Sequence, residues 1–203
     1  MKGLKRIIVF QYLDRQNLGH RFTGIPLLLD IWSDKYKPVQ TNNTIPHVVY
    51  SPSEVTTTGW FDKGYAGTKP ILAKYTNLGH ITTDIITNTA HSECMRRKSL
   101  GDIGIDEIKT GLFNLCSLEN LSLGLANFAN MDEFSKRAVF QSCGSLDFPI
   151  ISADVNTFEE KLKHLINNPD ELKQIKLESR LWMEKHWAPE KLIQHFVDIY
   201  KSM

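Results

Sequence analysis

One carboxylate stands among apolar and small residues in the stretch TGLFNLCSLENLSLG, which covers residues 110–124. Leucines recur at helical spacing in this stretch and a glycine ends it in the C-capping position, so it predicts a loop followed by a helix. The start of a helix offers unpaired backbone N–H groups and a partial positive charge, which together bind anions such as a diphosphate. The candidate anion site therefore begins at Asn114 and Leu115, with the carboxylate of Glu119 just behind it.

The role of Glu119 has two interpretations. A carboxylate near the start of a helix gains about 0.3–1 kcal/mol from the helix dipole and needs no ligand. A carboxylate can equally accept hydrogen bonds from two adjacent hydroxyl groups, such as those of a ribose, because one rigid acceptor then satisfies both donors. The local sequence leaves both interpretations open.

A second candidate phosphate site is the stretch SPSEVTTTGWFDKG, residues 51–64. The hydroxyls of Ser51, Ser53 and the threonines can donate hydrogen bonds, Gly59 and Gly64 permit close approach of the backbone, and Lys63 supplies a positive charge. A surface loop rich in serine and threonine is the open alternative. The dinucleotide fingerprint G-x-G-x-x-G is missing, and the glycine spacing of a P-loop occurs without its lysine.

Other reactive residues do not form a recognisable constellation. His91 and Cys94 stand one helical turn apart, but a pair without further ligands favours an ordinary helix start over a metal site. The three cysteines are odd in number and never form a CxxC pair, which argues against a disulfide framework or structural zinc. We therefore predict no metal site and a reducing environment.

The charge distribution also limits the partners. The net charge of the 203-residue chain is +1, so no global field attracts nucleic acid or an anionic membrane. The basic cluster of Arg96, Arg97 and Lys98 has no interleaved aromatic residues and predicts a solvated face. No stretch approaches the roughly 20 apolar residues of a membrane span, and the apolar run after the basic N-terminus lacks a signal-peptide cleavage site. The sequence therefore predicts a cytoplasmic protein without a nucleic-acid partner or an integral membrane segment.

From residue 47 onward, short β-rich runs alternate with amphipathic helical runs, the pattern of a parallel sheet flanked by helices. Strands are predicted at residues 47–51, 84–90, 102–108, 125–130 and 149–154. Helices are predicted at residues 69–78, 91–101, 115–124 and 132–141, and C-terminal helices follow with breaks at Pro169 and Pro189. The predicted fold class is α/β, a doubly wound, Rossmann-like parallel sheet with C-terminal helices.

Residues 1–46 show little periodicity, although RIIVFQYL (6–13) is typical of a strand and GIPLLLDIWSD (24–34) of a loop or a short extended piece. A segment of this length and pattern does not build a second core. We therefore divide the chain into an N-terminal appendage, residues 1–46, and a ligand-binding domain, residues 47–203. TNNTIP (41–46) is the most linker-like segment.

Several of these motifs, in this order, resemble the C-terminal, donor-binding domain of GT-B glycosyltransferases, in the large group that includes the retaining family 4 enzymes. The order is a strand ending in SPS, a loop with Lys63-Gly64, a strand followed by HSEC, and then D-x-x-x-x-G-L-F-N-L-x-x-L-E-x-x-x-x-G. Paired C-terminal helices with S-R-x-W-x-E-x-H-W complete it. The resemblance covers roughly residues 45–203.

In that family the donor domain binds a nucleotide-diphospho-sugar, and two glutamates eight positions apart contact it. Glu119 matches the second glutamate, which usually holds the ribose, whereas Gly111 stands at the position of the first and cannot supply a carboxylate. Lys63 matches a basic residue that neutralises the diphosphate, but the usual partner arginine has no counterpart. The resemblance implies a donor site without metal or additional cofactor, formed by Ser51, Ser53, Lys63, Gly64, Asn114, Leu115 and Glu119.

The resemblance also implies an activity, the transfer of a hexose-type sugar from a UDP- or GDP-type donor with retention of anomeric configuration. Such enzymes carry an N-terminal domain, typically of similar size, that binds the acceptor, and residues 1–46 resemble a remnant of it. A second chain that supplies the acceptor domain is therefore a candidate partner, and the catalytic residues are unassigned. The alternative is a non-catalytic nucleotide-binding or interaction module.

Overall fold

A computed structural model of the chain describes residues 7–10, 22–53, 55, 63–111 and 113–201. For residues 7–10 and 22–25 it describes the backbone only. Gly59 and the threonines of the predicted phosphate loop lie outside the described residues.

The described chain alternates strands and helices from residue 47 onward, as the sequence predicts. The strands are β1 Ile7–Phe10, β2 Phe22–Ile25, β3 His47–Tyr50, β4 Thr82–Ile85, β5 Ile103–Ile105, β6 Ala126–Ala129 and β7 Ile150–Ser152. The helices are α1 Tyr65–Asn77, α2 His91–Lys98, α3 Leu115–Ser122, α4 Glu133–Cys143, α5 Phe158–Asn167, α6 Pro169–His186 and α7 Pro189–Lys201. A short 3-10 turn at Asp34–Tyr36 precedes β3.

Five parallel strands form the main sheet, in the order β4-β3-β5-β6-β7. The strands β1 and β2 pair with each other in a separate two-stranded parallel sheet. Every pairing in the main sheet is parallel and helices cover both of its faces, so the predicted doubly wound α/β fold is confirmed.

Alternate side chains of the strands enter two cores, one on each face of the main sheet. Val49 of β3 belongs to the core that contains Leu118 of α3 and Met183 of α6. Val48 and Tyr50 belong to the opposite core, which contains residues of α1 and α5. Because both faces are covered, the strands are almost continuously apolar rather than alternating with polar residues.

The chain reverses its direction across the main sheet at β3. From β3 it moves outward to β4, returns past β3 to β5, and then continues to β6 and β7 on the other side. A crevice opens at the carboxyl ends of the two strands where such a reversal occurs, and ligands of doubly wound sheets bind there. Ser51 follows β3 and Asp106 follows β5, so these two residues mark the edges of the crevice.

The strands are shorter than the sequence predicts. A strand is predicted at residues 84–90, but β4 covers Thr82–Ile85 because its partner β3 offers only the four residues His47–Tyr50. In the same way β5 ends at Ile105, opposite the last residue of β3. The end of a strand depends on its partner, and the local sequence does not contain that information.

The segment before β3 packs onto the helical core. Leu29, Ile31 and Tyr36 are buried in the core on the α3 and α6 side of the sheet. The guanidinium of Arg180 in α6 donates hydrogen bonds to the carbonyls of Ile31 at 3.2 Å and Tyr36 at 2.9 Å, and to that of Ser122 at 2.9 Å. The division of the chain at residue 46 stays a prediction.

Gly104, in the middle of β5, faces the side chain of Asn120 in α3. A Cβ atom at Gly104 would lie between 2.5 and 3.0 Å from three atoms of Asn120, including its Cβ, so the helix or the strand must move to accept it. We expect Gly104→Ala to lower the free energy of unfolding by about 1–3 kcal/mol, measured by urea denaturation.

Gly67→Ala is the matched control for this substitution. Gly67 lies exposed on α1, and a Cβ atom there would meet nothing closer than 3.8 Å. Replacing an unhindered helical glycine by alanine stabilises a protein by about 0.5–1 kcal/mol. If the two substitutions changed the stability equally, the close packing of β5 against α3 would be contradicted.

Candidate functional site

The predicted site residues come from three parts of the chain that meet at the crevice between β3 and β5. Ser51 follows β3, and its hydroxyl oxygen lies 3.4 Å from the sulfur of Cys116 in α3. Lys63 and Gly64 immediately precede α1. Gly64 is buried with a φ of +86°, and a Cβ atom there would lie 2.6 Å from a side-chain carbon of Ile108, so both the backbone and the packing require glycine.

The side-chain carboxylate of Asp106 lies at the start of α3. Its buried carboxylate accepts hydrogen bonds from the backbone amide of Asn114 at 2.8 Å, and from the amide and hydroxyl of Ser117 at 3.1 and 2.8 Å. The ammonium group of Lys63 donates to the other carboxylate oxygen at 2.8 Å. A carboxylate of the chain itself therefore holds two of the amides that an anion bound at this helix start would use.

The pKa of Asp106 lies below its usual range. Burial alone raises the pKa of this carboxyl, but the charge of Lys63 and the hydrogen bonds from Lys63, Ser117 and Asn114 together lower it by more. Burial lowers the pKa of Lys63, whereas the Asp106 carboxylate and the Cys116 sulfur raise it by more, to about 12. Both groups are thus charged at neutral pH, and Asp106 already balances the charge of Lys63.

Glu119 lies in the second turn of α3 and is 5% exposed. One of its carboxylate oxygens accepts a hydrogen bond from the ammonium group of Lys98 at 2.7 Å, and the other lies 2.8 Å from Nε2 of His91. The side chain of Lys98 is 2% exposed, whereas that of His91 is 53% exposed. Glu119 therefore joins a buried lysine to a histidine at the surface, and both of these partners belong to α2.

The burial of Lys98 corrects a prediction from the sequence. The predicted solvated basic face holds for Arg96, whose side chain is 62% exposed, but it is wrong for Lys98. Lys98 follows the buried Met95 by three residues, so it lies on the face of α2 that enters the core. Three consecutive residues of a helix point in different directions around its axis, so three basic residues in a row cannot all face the solvent equally.

The environment of Lys98 keeps it protonated. Its ammonium nitrogen lies 3.1 Å from the sulfur of Cys116, in addition to its contact with Glu119. Burial lowers the pKa of Lys98, but the Cys116 sulfur and the Glu119 carboxylate raise it by more, so the pKa lies above its ordinary value. Lys98 is therefore charged at neutral pH and forms a buried salt bridge with Glu119.

A chain of polar contacts continues from the site into the core beneath α3. The Ser117 hydroxyl, which donates to Asp106, accepts a hydrogen bond from the side-chain amide of Asn127 in β6 at 3.0 Å. The side-chain oxygen of Asn127 accepts one from Asn120 at 2.7 Å. These three side chains are buried, and their bonds fix the rotation of α3 against the sheet. The network thereby sets the direction of the amides at the helix start.

Four of the predicted site residues are connected in two pairs through shared partners. Lys63 and Asn114 share the carboxylate of Asp106, and Ser51 connects to Glu119 through Cys116 and Lys98. Ser53 and the side chain of Leu115 are exposed. The role of these residues in binding a ligand stays a prediction.

Three residues that hold the site together were not predicted as part of it, namely Asp106, Lys98 and His91. Asp106 is the first residue of the motif that carries the family resemblance, and an acid directly after a strand and before a helix start is a detectable signal. His91 begins a helix at the same edge of the sheet, which also could have placed it near the site. No comparable signal in the sequence indicates that Lys98 is buried.

Within the described residues, no group of three or more histidine, cysteine or acidic side chains is placed to hold a metal ion. The cysteines at positions 94, 116 and 143 form no disulfide. Among the helices of the described part of the chain, none is long and apolar enough to cross a membrane.

The chain matches no protein-family model and no curated protein, but it is similar to several solved structures. A glycosyltransferase from Rickettsia africae ESF-5 is 12% identical with a TM-score of 0.61, over 98% of this chain and 63% of that one. Sucrose-phosphate synthase from Thermosynechococcus elongatus is 12% identical with a TM-score of 0.62, over 96% of this chain and 57% of that one. A TarM variant from S. aureus, in complex with fondaparinux, α-GlcNAc-glycerol and UDP, is 13% identical with a TM-score of 0.64, over 97% of this chain and 44% of that one.

The likeness to these proteins is one of fold, since the sequence identities are low. The chain spans less than two thirds of the length of each of these three structures. It has the Rossmann-like α/β fold that is found in GT-B glycosyltransferases.

Proposed function

We propose that the crevice between β3 and β5 binds a nucleotide-diphospho-sugar, and that the chain forms the donor domain of a glycosyltransferase-like protein. The observation that supports this most directly is the meeting of Ser51, Lys63 and the start of α3 at the switch point of a doubly wound sheet. One of the structures that share the fold, the TarM variant, contains UDP.

Backbone groups at the start of α3 are the proposed ligands of the diphosphate. Asp106 occupies the amides of Asn114 and Ser117, but within the described residues the amides of Leu115 and Cys116 have no hydrogen-bond acceptor. Amides in the first turn of a helix favour phosphate oxygens. The Ser51 hydroxyl lies 3.4 Å from Cys116 and is a further donor to the same phosphate group.

The proposed reaction is transfer of the sugar to an acceptor with retention of anomeric configuration. Lys63 and the amides of Leu115 and Cys116 stabilise the charge that develops on the leaving diphosphate, without an obligatory metal. Glu119 positions the nucleoside. The acceptor-binding groups belong to a further domain, for which a second chain is the proposed source.

A non-catalytic nucleotide-binding module is the second candidate, and two observations favour it. Gly111 stands where the resemblance places a carboxylate that contacts the donor sugar, and its φ is +79°. In addition, Lys63 is already neutralised by Asp106. Both observations reduce the number of groups available to activate the leaving group, whereas they leave a binding crevice in place.

Titration calorimetry of the purified chain with UDP and with GDP tests the proposed site. We expect one of the two nucleotides to bind, and Glu119→Ala to weaken that binding at least tenfold, since Glu119 positions the nucleoside. The double substitution of Lys98→Met with Glu119→Leu provides a variant without an unpaired buried charge, and it should weaken binding to a similar extent.

Glu171→Ala is the matched control, because Glu171 also pairs with a histidine, His164, at 2.8 Å, but on the exposed surface of α5 and α6. This control should bind the nucleotide as the unmodified chain does. No binding of either nucleotide at millimolar concentration would refute the donor site. Hydrolysis of a nucleotide sugar or transfer of its sugar by the chain would then separate the enzyme from the binding module.

A further inference from the structure

His91 is the only member of the Lys98–Glu119–His91 chain with a largely exposed side chain. The other two side chains are 2% and 6% exposed, while 53% of the His91 side chain is exposed. A ligand that approaches this edge of the sheet therefore meets the imidazole ring before it meets the carboxylate. Both carboxylate oxygens of Glu119 already have a partner inside the protein.

The contact with Glu119 determines which ring nitrogen of His91 carries the proton. Nε2 lies 2.8 Å from a carboxylate oxygen, which only accepts hydrogen bonds, so Nε2 must be the donor. In the neutral ring the other nitrogen, Nδ1, is then an acceptor. Nδ1 has no hydrogen-bond partner within the described residues. The arrangement thus leaves an oriented acceptor at the surface.

The position of His91 places this acceptor beside the proposed nucleotide site. His91 is the first residue of α2, on the carboxyl side of β4, and β4 is the neighbour of β3 in the sheet. Through Glu119, Lys98 and Cys116 it connects to Ser51 at the end of β3. The acceptor and the first-turn amides of α3 therefore lie along one edge of the sheet.

We propose that Nδ1 of His91 accepts a hydrogen bond from a hydroxyl group of the bound ligand, and that Glu119 acts through His91 as a positioning residue. This inference rests on the proposed nucleotide site and changes how Glu119 serves it. The carboxylate holds the imidazole ring, and the ring contacts the hydroxyl. The hydroxyl belongs either to the ribose or to the transferred sugar.

The test compares ligands that differ only in hydroxyl groups. UDP is compared with 2′,3′-dideoxy-UDP and with UDP-glucose, or the corresponding guanosine series is used if GDP is the nucleotide that binds. One hydrogen bond between neutral groups corresponds to an affinity change of about threefold to tenfold. If the ribose is the partner, we expect His91→Ala to weaken the binding of UDP by about tenfold, the same loss as for Glu119→Ala, and to leave the binding of 2′,3′-dideoxy-UDP unchanged. If the transferred sugar is the partner, the binding of UDP-glucose is weakened and that of UDP is not, and the proposed role of Glu119 in positioning the nucleoside is overturned.

A double-mutant cycle tests the role of Glu119. If Glu119 acts through His91, then Glu119→Ala adds little further loss in a chain that already carries His91→Ala. If the two substitutions reduced the nucleotide affinity independently, so that their fold-losses multiplied in the double variant, Glu119 would contact the ligand directly and its positioning role would be overturned. His164→Ala is the matched control, because His164 also has its Nε2 within 2.8 Å of a glutamate but lies on α5. It should leave all affinities unchanged.

The outcomes separate this inference from the function on which it rests. If the unmodified chain binds neither UDP nor GDP, the nucleotide site and the role of His91 both fail. If the chain binds a nucleotide and His91→Ala weakens hydroxyl-bearing and dideoxy ligands equally, or none of them, only the role of His91 is overturned.

Discussion

Replacing Asp106 by leucine is expected to lower the free energy of unfolding by about 3–5 kcal/mol. The substitution leaves the Lys63 ammonium without its partner and removes the acceptor of the Asn114 amide and of the Ser117 hydroxyl. Buried donors without acceptors each add their own desolvation cost. Urea denaturation at neutral pH measures the loss.

Lys63→Met is the matched control for this prediction. It removes the charge partner of Asp106 but leaves the carboxylate with its hydrogen bonds from Asn114 and Ser117. These three hydrogen bonds offset part of the cost of the unpaired buried charge, so the loss should be smaller than that of Asp106→Leu. If both substitutions cost the same, the carboxylate acts only as a counter-ion for Lys63 and not as the acceptor that fixes the helix start.

The pH dependence of stability gives an independent measurement of Asp106. Its folded pKa is lowered from an ordinary value of 3.8, so the folded state binds fewer protons than the unfolded state in this range. The stabilisation is fully present above the ordinary value and is lost as the pH falls through the folded pKa. The stability of the unmodified chain should fall below about pH 4, and that of Asp106→Leu should change less. Asp102, whose pKa is also lowered, is present in both chains and cancels in the difference.

Much of the fold could be predicted because it depends on local patterns. The apolar run at residues 47–51 between turn-forming residues gave β3, and the leucine spacing after Asn114 gave α3. The ends of the strands could not be predicted, since β4 ends where β3 stops offering partners. The apolar pattern of a strand indicates which of its residues are buried, but it does not indicate how long the neighbouring strand is.

The position of the candidate site in the fold could be predicted from the sequence, but the contacts between its side chains could not. Glu119 stood out because it was the only acid in an apolar helix, and the order of strands placed it at the crevice. Its partner Lys98 lies 21 positions away, within a run of basic residues that is typical of a surface. Only its contacts with Cys116 and Glu119 of α3 show that Lys98 points inward. Pairing between side chains of different helices is a tertiary property, and no periodicity in either helix encodes it.

The contact between Glu119 and Lys98 bears on how Glu119 could serve a ligand, because it determines which atoms remain to contact that ligand. The carboxylate is neither an exposed helix-start acid nor an acceptor with both oxygens open to the crevice, because Lys98 and His91 each occupy one of its oxygens. A buried ion pair has a large desolvation cost, which its attraction offsets only when the geometry is good. The pair is therefore weak evidence for a purely stabilising role, and its contribution can be measured separately.

The single substitutions Lys98→Met and Glu119→Leu are each expected to lower the free energy of unfolding by about 3–5 kcal/mol, because each leaves one buried charge without its partner. The double substitution should recover most of this loss and come within about 1–2 kcal/mol of the unmodified chain, since two apolar side chains of similar volume replace the pair. Urea denaturation of the four proteins gives the coupling energy. Additive losses would contradict the ion pair.

The same double variant then separates stability from function. A chain that folds as well as the original but has no carboxylate at position 119 retains His91 without its orienting partner. If it also binds a nucleotide as well as the original, the pair contributes to neither folding nor binding. If its nucleotide affinity falls while its stability does not, the buried pair serves the crevice rather than the core, and the function of Glu119 is to direct a surface histidine from inside the protein.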